Sequence, residues 1–160
     1  SNLFQALNIN EIISYGVESK WYNHVEHGYM QFGLDLSYTF IRSFSLNNLR
    51  IPKRASGEQL HYLPRHRAIG KLQIECRSLF FQYTHQYQSG MDGFNKSIMA
   101  YHIGDFMLAY SFRSDRPHRT SLQLECRNIW NQEYEIVEFR PMPGRNYHIN
   151  IIYSLNHSNQ

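Results

Sequence analysis

The sequence has no long run of apolar residues. None of its segments approaches the ~20 consecutive apolar residues that a transmembrane helix needs. Charge is nearly balanced, with 16 Lys and Arg residues against 13 Asp and Glu residues, and no cluster of one sign predicts a nucleic-acid partner. Proline and glycine, at 5 and 9 residues, are too few for a disordered or fibrous chain. We therefore expect residues 1–160 to form one folded domain.

Cysteine is also scarce. Only Cys76 and Cys126 occur, in the similar stretches LQIECRS and LQLECRN. Two cysteines are too few for a disulfide scaffold. Each lies on the apolar side of an alternating pattern, which favours a small apolar side chain, with a disulfide as the alternative. A tetrahedral metal site needs four ligands, so this pair does not predict one.

Motifs of catalysis are missing as well. The sequence has no Gly-x-Ser-x-Gly turn, phosphate loop or dinucleotide fingerprint. The histidines are scattered, and the pairs His24/His27 and His61/His66 lack the neighbouring Cys or carboxylate ligands of a metal site. We expect a protein that is not an enzyme and that holds neither a cofactor nor a metal.

Alternation of apolar and polar residues is what the sequence has. Near its end, Tyr147, Ile149 and Ile151 alternate with polar residues. Successive side chains of a strand point to opposite faces, so this pattern predicts a β-strand. Similar segments predict an all-β fold, an antiparallel up-and-down meander of seven long strands, with a weaker eighth strand at Leu3–Ile9. The predicted strands lie at residues 13–22, 29–42, 65–76, 79–88 and 105–113, and two more lie within 122–155.

Strand length and link length both favour a membrane barrel. Many segments reach the ~9–11 residues that cross a bilayer on a tilt, whereas strands of soluble sheets are commonly ~5–6 residues long. Outer-membrane barrels alternate short periplasmic turns with long extracellular loops. The sequence predicts the same alternation, with short links at 23–28, 77–78 and 114–119 and longer links at 43–64, 89–97 and 131–143.

The strands present one polar wall and one apolar wall. In a membrane barrel the apolar wall contacts lipid and the polar wall lines a hydrated lumen, whereas a soluble barrel reverses this assignment. Aromatic residues near segment ends, such as Trp21, Tyr38 and Trp130, favour the contact with lipid. The predicted polar wall comprises Gln31, Asp35, Gln73, Glu75, Gln82, Gln86, Asp105, Gln123, Glu125, Arg127, Asn146, His148 and Asn150.

Short motifs over almost the whole chain resemble the C-terminal barrel region of TonB-dependent outer-membrane receptors. The stretch GVE resembles the start of a family strand, NIWNQEY resembles its Asn-Leu-Phe-Asn motif with a following tyrosine, and PMPGRNY is the most specific match. The residues that carry the resemblance are Gly16, Val17, Glu18, Asn128, Tyr134, Pro143, Gly144, Arg145 and Tyr147.

The resemblance implies a function in nutrient uptake. It makes this chain the C-terminal part of a large barrel in the bacterial outer membrane, without the family's plug domain. Such receptors take up scarce nutrients, such as ferric siderophores, vitamins or oligosaccharides, with energy supplied through TonB. The implied partners are outer-membrane lipid, the plug domain, the TonB complex and a small-molecule ligand. Alone, the sheet would either curl into a small closed barrel or pair with another copy.

In the same family picture, the long loops and the upper lumen select the ligand, and the polar wall contacts the plug. The loop at residues 43–64 is basic, so it could attract an anionic ferric chelate or a phosphorylated ligand. Its candidate ligand-binding residues are Arg50, Lys53, Arg54 and His61.

Two other classes of protein remain open from the sequence. One is a soluble lipocalin-like barrel, whose apolar wall would line a cavity for a hydrophobic ligand. The other is a small outer-membrane barrel with a structural function. A receptor would require detergent for extraction, whereas a soluble lipocalin-like barrel would not. A receptor would also have a plug domain encoded upstream, whereas a small structural barrel would not.

Overall fold

The structure, a computed structural model, describes residues 11–50, 53–112 and 118–155. All the regular secondary structure among these residues is β-strand, so the predicted all-β class is confirmed. The strands are β1 (Ile12–His27), β2 (Met30–Ser45), β3 (Leu49–Arg50), β4 (Lys53–Arg54), β5 (His66–Cys76), β6 (Leu79–Gln88), β7 (Met91–Asp92), β8 (Ser97–Ile98), β9 (Tyr101–Phe112), β10 (His118–Arg127), β11 (Glu135–Val137), β12 (Arg140–Pro141) and β13 (Asn146–Leu155).

Seven long strands form one antiparallel sheet. Each pairs with the next long strand along the chain, in the order β1, β2, β5, β6, β9, β10 and β13, which confirms the predicted meander. Strands β1 and β13 are the two edges, and the pairing between described residues does not close the sheet into a barrel. The eighth strand predicted at Leu3–Ile9 lies outside the described residues.

Two of the short links are shorter than the sequence predicted. The link predicted at 23–28 is mostly strand, because β1 stays paired with β2 as far as His27. Gly28 makes the turn with a φ of 61°, a conformation that glycine adopts without the clash of a Cβ atom. Similarly, β10 begins at His118, inside the link predicted at 114–119.

The register puts most of the apolar residues of the seven long strands on one face. Directly opposed residues of neighbouring strands share a face. One row of such partners crosses the whole sheet and is apolar throughout: Val25, Phe32, Ile74, Phe81, Leu108, Leu124 and Ile149. We call this side, with the positions two residues away along each strand, the apolar face. The intervening positions form the polar face.

The apolar face is exposed where a soluble sheet would bury it. Phe32, Leu36 and Leu72 lie on inner strands and are 38%, 45% and 38% exposed. On the opposite side, polar-face residues such as Gln82 and Asp105 are only partly exposed. A sheet with one solvated side normally shows the reverse, with its apolar side chains packed on a core.

The buried side chains gather instead at one end of the sheet, where the long loops are. The first, second and third long loops span residues 46–65, 89–100 and 128–145, and they contain the hairpins β3/β4, β7/β8 and β11/β12. The opposite end has turns of two residues at 28–29 and 77–78, so short and long links alternate as predicted. The buried side chains are Met91, Ile98, Ile103, Ser43, Ser45, Gln59, Gln88, Asn128 and Glu138. No helix long and apolar enough to cross a membrane occurs among the described residues.

Candidate functional site

The thirteen residues of the predicted polar wall lie on the polar face, where several form cross-strand contacts. The carboxylate of Asp35 lies 3.1 Å from the His24 ring and 3.9 Å from the Lys71 ammonium. Farther across the sheet, the Gln73 amide donates a hydrogen bond to the Gln82 carbonyl at 3.0 Å. The polar face is therefore a hydrogen-bonding surface, while its lining of a lumen stays a prediction.

A cavity of about 340 Å³ lies on the polar face between β6, β9 and β10. Three charged side chains line it, Asp105, Glu125 and Arg127. Arg127 donates to Glu125 at 3.0 Å, and Asp105 accepts a hydrogen bond from the backbone N–H of Asn128 at 2.8 Å. We call this cavity the lower cavity. Because its two carboxylates outnumber its one guanidinium, it favours cations over anions.

A second cavity, of about 350 Å³, lies on the same face directly under the long loops. We call it the upper cavity. Strands β5, β6 and β9 form its floor, and each of the three long loops contributes to its rim. Among the described residues, the one charged residue of its lining is Arg67, which donates to the Gln88 side chain at 3.0 Å. The lining consists of Tyr62, Pro64, Arg67, Ile69, Gln86, Tyr87, Gln88, Met91, Tyr101 and Ile136.

The first long loop is held against the end of β2 by Gln59. The Gln59 side chain accepts a hydrogen bond from the Ser43 N–H at 3.1 Å and donates to the Leu63 carbonyl at 3.2 Å. The basic candidates predicted in this loop are only partly described. Arg50 pairs with Lys53 in the β3/β4 hairpin, and Arg54 is the next residue of β4. The side chains of all three residues lie outside the described part of the structure. Whether they bind a ligand stays a prediction.

Phe94 joins the first loop to the second. Its ring makes edge contacts with the rings of His61 and Tyr62, each at 5.1 Å between centroids. The Tyr62 N–H also donates to the Asp92 carbonyl at 2.8 Å. Neither ring nitrogen of His61, the fourth candidate of the basic loop, has a hydrogen-bond partner within the described residues. His61 therefore packs as part of an aromatic contact between loops.

Glu138 joins the second loop to the third. Its carboxylate accepts hydrogen bonds from the Asn95 N–H at 2.8 Å, the Asn95 side chain at 2.8 Å and the Lys96 N–H at 3.2 Å. A Cβ at Gly93 would collide with this carboxylate, so a larger residue there would displace the Glu138 side chain. Burial raises the pKa of the Glu138 carboxyl, but the hydrogen bonds from Asn95 and Lys96 and the nearby Lys96 charge lower it below its ordinary value.

The motif residues of the third loop fold it back onto the sheet. Asn128 is 3% exposed and has a φ of 50°, and its side chain donates to the carbonyls of Gln132 and Pro143 at 2.9 and 3.3 Å. Asn131 accepts a hydrogen bond from the Arg145 N–H at 2.9 Å. The two asparagines of the Asn-x-x-Asn motif thus contact the Pro-Gly-Arg stretch directly. This contact holds the residues that precede β13.

Other motif residues lie at close approaches and at the surface. A Cβ at Gly16 would lie 2.3 Å from the Phe40 carbonyl oxygen, so the β1–β2 contact leaves room for glycine alone. Val17 and Glu18 follow on opposite faces of β1, and both are exposed. The Tyr134 ring packs against the Tyr101 ring in a tilted arrangement, with 4.6 Å between ring centroids. Tyr147 lies on the apolar face and is 70% exposed.

Cys76 and Cys126 are free thiols on the apolar face. They lie on β5 and β10, three strand positions apart in the sheet. Neighbouring strands are ~4.8 Å apart, whereas a disulfide needs Cα atoms within about 7 Å. The geometry therefore excludes the disulfide alternative. Within the described ranges, no three His, Cys, Asp or Glu side chains form a group that could hold a metal ion.

In comparisons with known proteins, no family model matches this sequence and no curated protein does either. The resemblance to TonB-dependent receptors thus rests on the short motifs alone. The residues that link the loops were not found from the sequence. Gln59, Phe94 and Glu138 belong to no recognisable motif. Arg67 lies in a predicted strand, but nothing in the sequence distinguishes it from the other polar residues there.

Proposed function

We propose that this chain forms part of the wall of an outer-membrane uptake receptor of the TonB-dependent type. Its apolar face would contact lipid, and its polar face would line the lumen, where the plug of the parent receptor binds. The long loops would face the outside of the cell and bound the ligand site. This assignment agrees with the order of short turns and long loops, since all three long loops lie at one end of the sheet.

The observation that carries this proposal is the reversed exposure of the two faces. The row from Val25 to Ile149 gives lipid an uninterrupted apolar surface seven strands wide. The upper and lower cavities and the contacts of Asp35 lie on the other face, as a hydrated lumen requires. The lipocalin-like alternative needs the apolar face to enclose a cavity, and the half-exposed Phe32 and Leu72 do not favour it.

Neighbouring residues on opposite faces provide a sharp test. Phe81 and Gln82 are adjacent in β6, with Phe81 on the apolar face and Gln82 on the polar face. In a background with Cys76 and Cys126 changed to alanine, Phe81→Cys and Gln82→Cys are each labelled with a nitroxide in the membrane-inserted protein. We expect collisions with oxygen, which concentrates in lipid, at position 81, and collisions with a water-soluble nickel complex at position 82.

Fractionation of cells provides the control for location. The receptor proposal requires the protein in the outer-membrane fraction, extracted only with detergent. A protein that remains monomeric in detergent-free buffer would contradict it and support the soluble binder. Insertion without a plug domain encoded upstream would support the small structural barrel instead.

A further inference from the structure

The upper cavity differs from the lower one in charge. Within the part of the chain that the structure describes, Arg67 is the single charged residue of the upper lining, whereas the lower cavity contains Asp105, Glu125 and Arg127. Gln86 lines both cavities, so the two are neighbours on the polar face. A negative group is therefore attracted to the upper cavity and repelled from the lower one.

The shape and lining of the upper cavity restrict the ligand further. Its volume of about 350 Å³ is at the small end of the ~300–1,000 Å³ that small-molecule sites occupy. Aromatic and aliphatic side chains, among them Tyr62, Tyr101 and Ile136, line the same cavity as Arg67 and add apolar surface to it. Arg67 has a planar fork of N–H donors, and Gln88 engages one nitrogen of it.

We propose that the upper cavity binds a carboxylate attached to a single flat ring, with Arg67 as the anion-binding residue. Arg67 binds the carboxylate through its remaining N–H groups, and the tyrosine rings cover the faces of the ligand ring. This inference rests on the proposed function, because it names the ligand chemistry of the site that the long loops enclose.

The experiment uses the protein in detergent micelles and fluorine NMR of three probes. The probes are 4-fluorobenzoate, its neutral analogue 4-fluorobenzamide, and the acyclic anion 4,4,4-trifluorobutyrate. We expect saturable binding of 4-fluorobenzoate, with the other two at least about tenfold weaker, since one loses the charge and the other loses the ring.

Two arginines of the polar face form the matched comparison. We expect Arg67→Gln to weaken 4-fluorobenzoate binding about tenfold or more, because it removes a charge-assisted hydrogen bond. Arg127→Gln should change binding less than about twofold, since Arg127 lies in the lower cavity and is paired with Glu125. Arg67→Lys keeps the charge but loses the fork, so it should bind with intermediate strength.

Several results would overturn the inference. They are equal binding of the benzoate and the benzamide, equal binding of the acyclic anion, an equal loss in both glutamine variants, or no saturable binding by a protein with normal sheet content in circular dichroism. The proposed function is tested separately, by the location of the protein in cell fractions. If the protein proves to need no detergent, the proposed function is wrong, but the same titration in buffer still decides whether the upper cavity binds the ring carboxylate.

Discussion

The sheet and the long loops of this protein are stabilised in different ways. In the sheet, the backbone ladder is continuous, but inner-strand residues such as Leu36 and Leu72 stay 45% and 38% exposed. In the loops, Ile98, Asn128 and Glu138 are 3%, 3% and 6% exposed, and side chains such as Phe94 and Glu138 link one loop to the next. The most buried side chains of this protein thus lie in and next to its loops, whereas in a globular protein the loops usually lie at the surface.

This difference shows which region depends on its surroundings. In the loops, buried polar side chains such as Gln59, Asn128 and Glu138 are hydrogen-bonded to neighbouring loop residues, so the loops depend less than the sheet on a covering surface. The sheet leaves an apolar surface uncovered, and only a contact outside the described residues can remove it from water. If the proposed function is right, that contact is lipid, and the sheet should be stable only in a bilayer or a micelle.

The largest expected effect comes from a charge on the apolar face. If the apolar face contacts lipid as proposed, Phe81→Arg places a guanidinium in hydrocarbon and should reduce the free energy of unfolding in lipid vesicles by about 2–4 kcal/mol. The neighbouring change Gln82→Arg on the polar face should cost less than about 1 kcal/mol. Urea titration followed by tryptophan fluorescence measures both. Equal losses in the two variants would mean that the two faces do not differ in environment.

In the loops, the largest effect should come from Asn128. Asn128→Ala removes the hydrogen bonds to Gln132 and Pro143 and places alanine at a φ of 50°. The cost should be about 2–3 kcal/mol, from unsatisfied buried groups and left-handed backbone strain. Hydrogen exchange should report this loss as reduced protection in the third loop, with the middle of β6 unchanged. The exposed Asn150 on β13 gives the control, since Asn150→Ala removes no buried contact.

The sheet and the loops also differ in how well the sequence predicts them. Alternation predicted the seven long strands, because a half-buried or lipid-facing strand repeats every two residues. It missed residues 23–27 of β1, where polar residues suggested a turn. The loop contacts could not be predicted, because Phe94 and Glu138 meet their partners through the fold and not through a local pattern. The motif at Asn128 predicted an important position but not its role as a hydrogen-bonding link.

A smaller effect should follow when the first and second loops are separated. Phe94→Ala removes the ring contacts to His61 and Tyr62, each of which is typically worth ~0.5–1.5 kcal/mol. We expect faster cleavage of both loops by a protease added outside vesicles. Phe139, another exposed loop aromatic, contacts only the Lys96 ammonium among the ring contacts of the described residues, so Phe139→Ala is the matched control. Equal cleavage of the two variants would show that the first two loops are not joined through Phe94.

The smallest effect is a pH dependence confined to the link between the second and third loops. The folded-state pKa of Glu138 lies below its ordinary value of 4.5, because the hydrogen bonds from Asn95 and Lys96 and the Lys96 charge outweigh burial. A lowered pKa means that the carboxylate stabilises this link fully above about 4.5 and loses that contribution as pH falls through the lower, folded-state value. The amides of Asn95 and Lys96 should therefore lose protection, relative to their intrinsic exchange rates, below pH 4.5 and not between pH 5 and 7. Glu138→Gln should weaken protection at every pH and remove the acid transition. An unchanged acid transition in that variant would assign it to another carboxyl group.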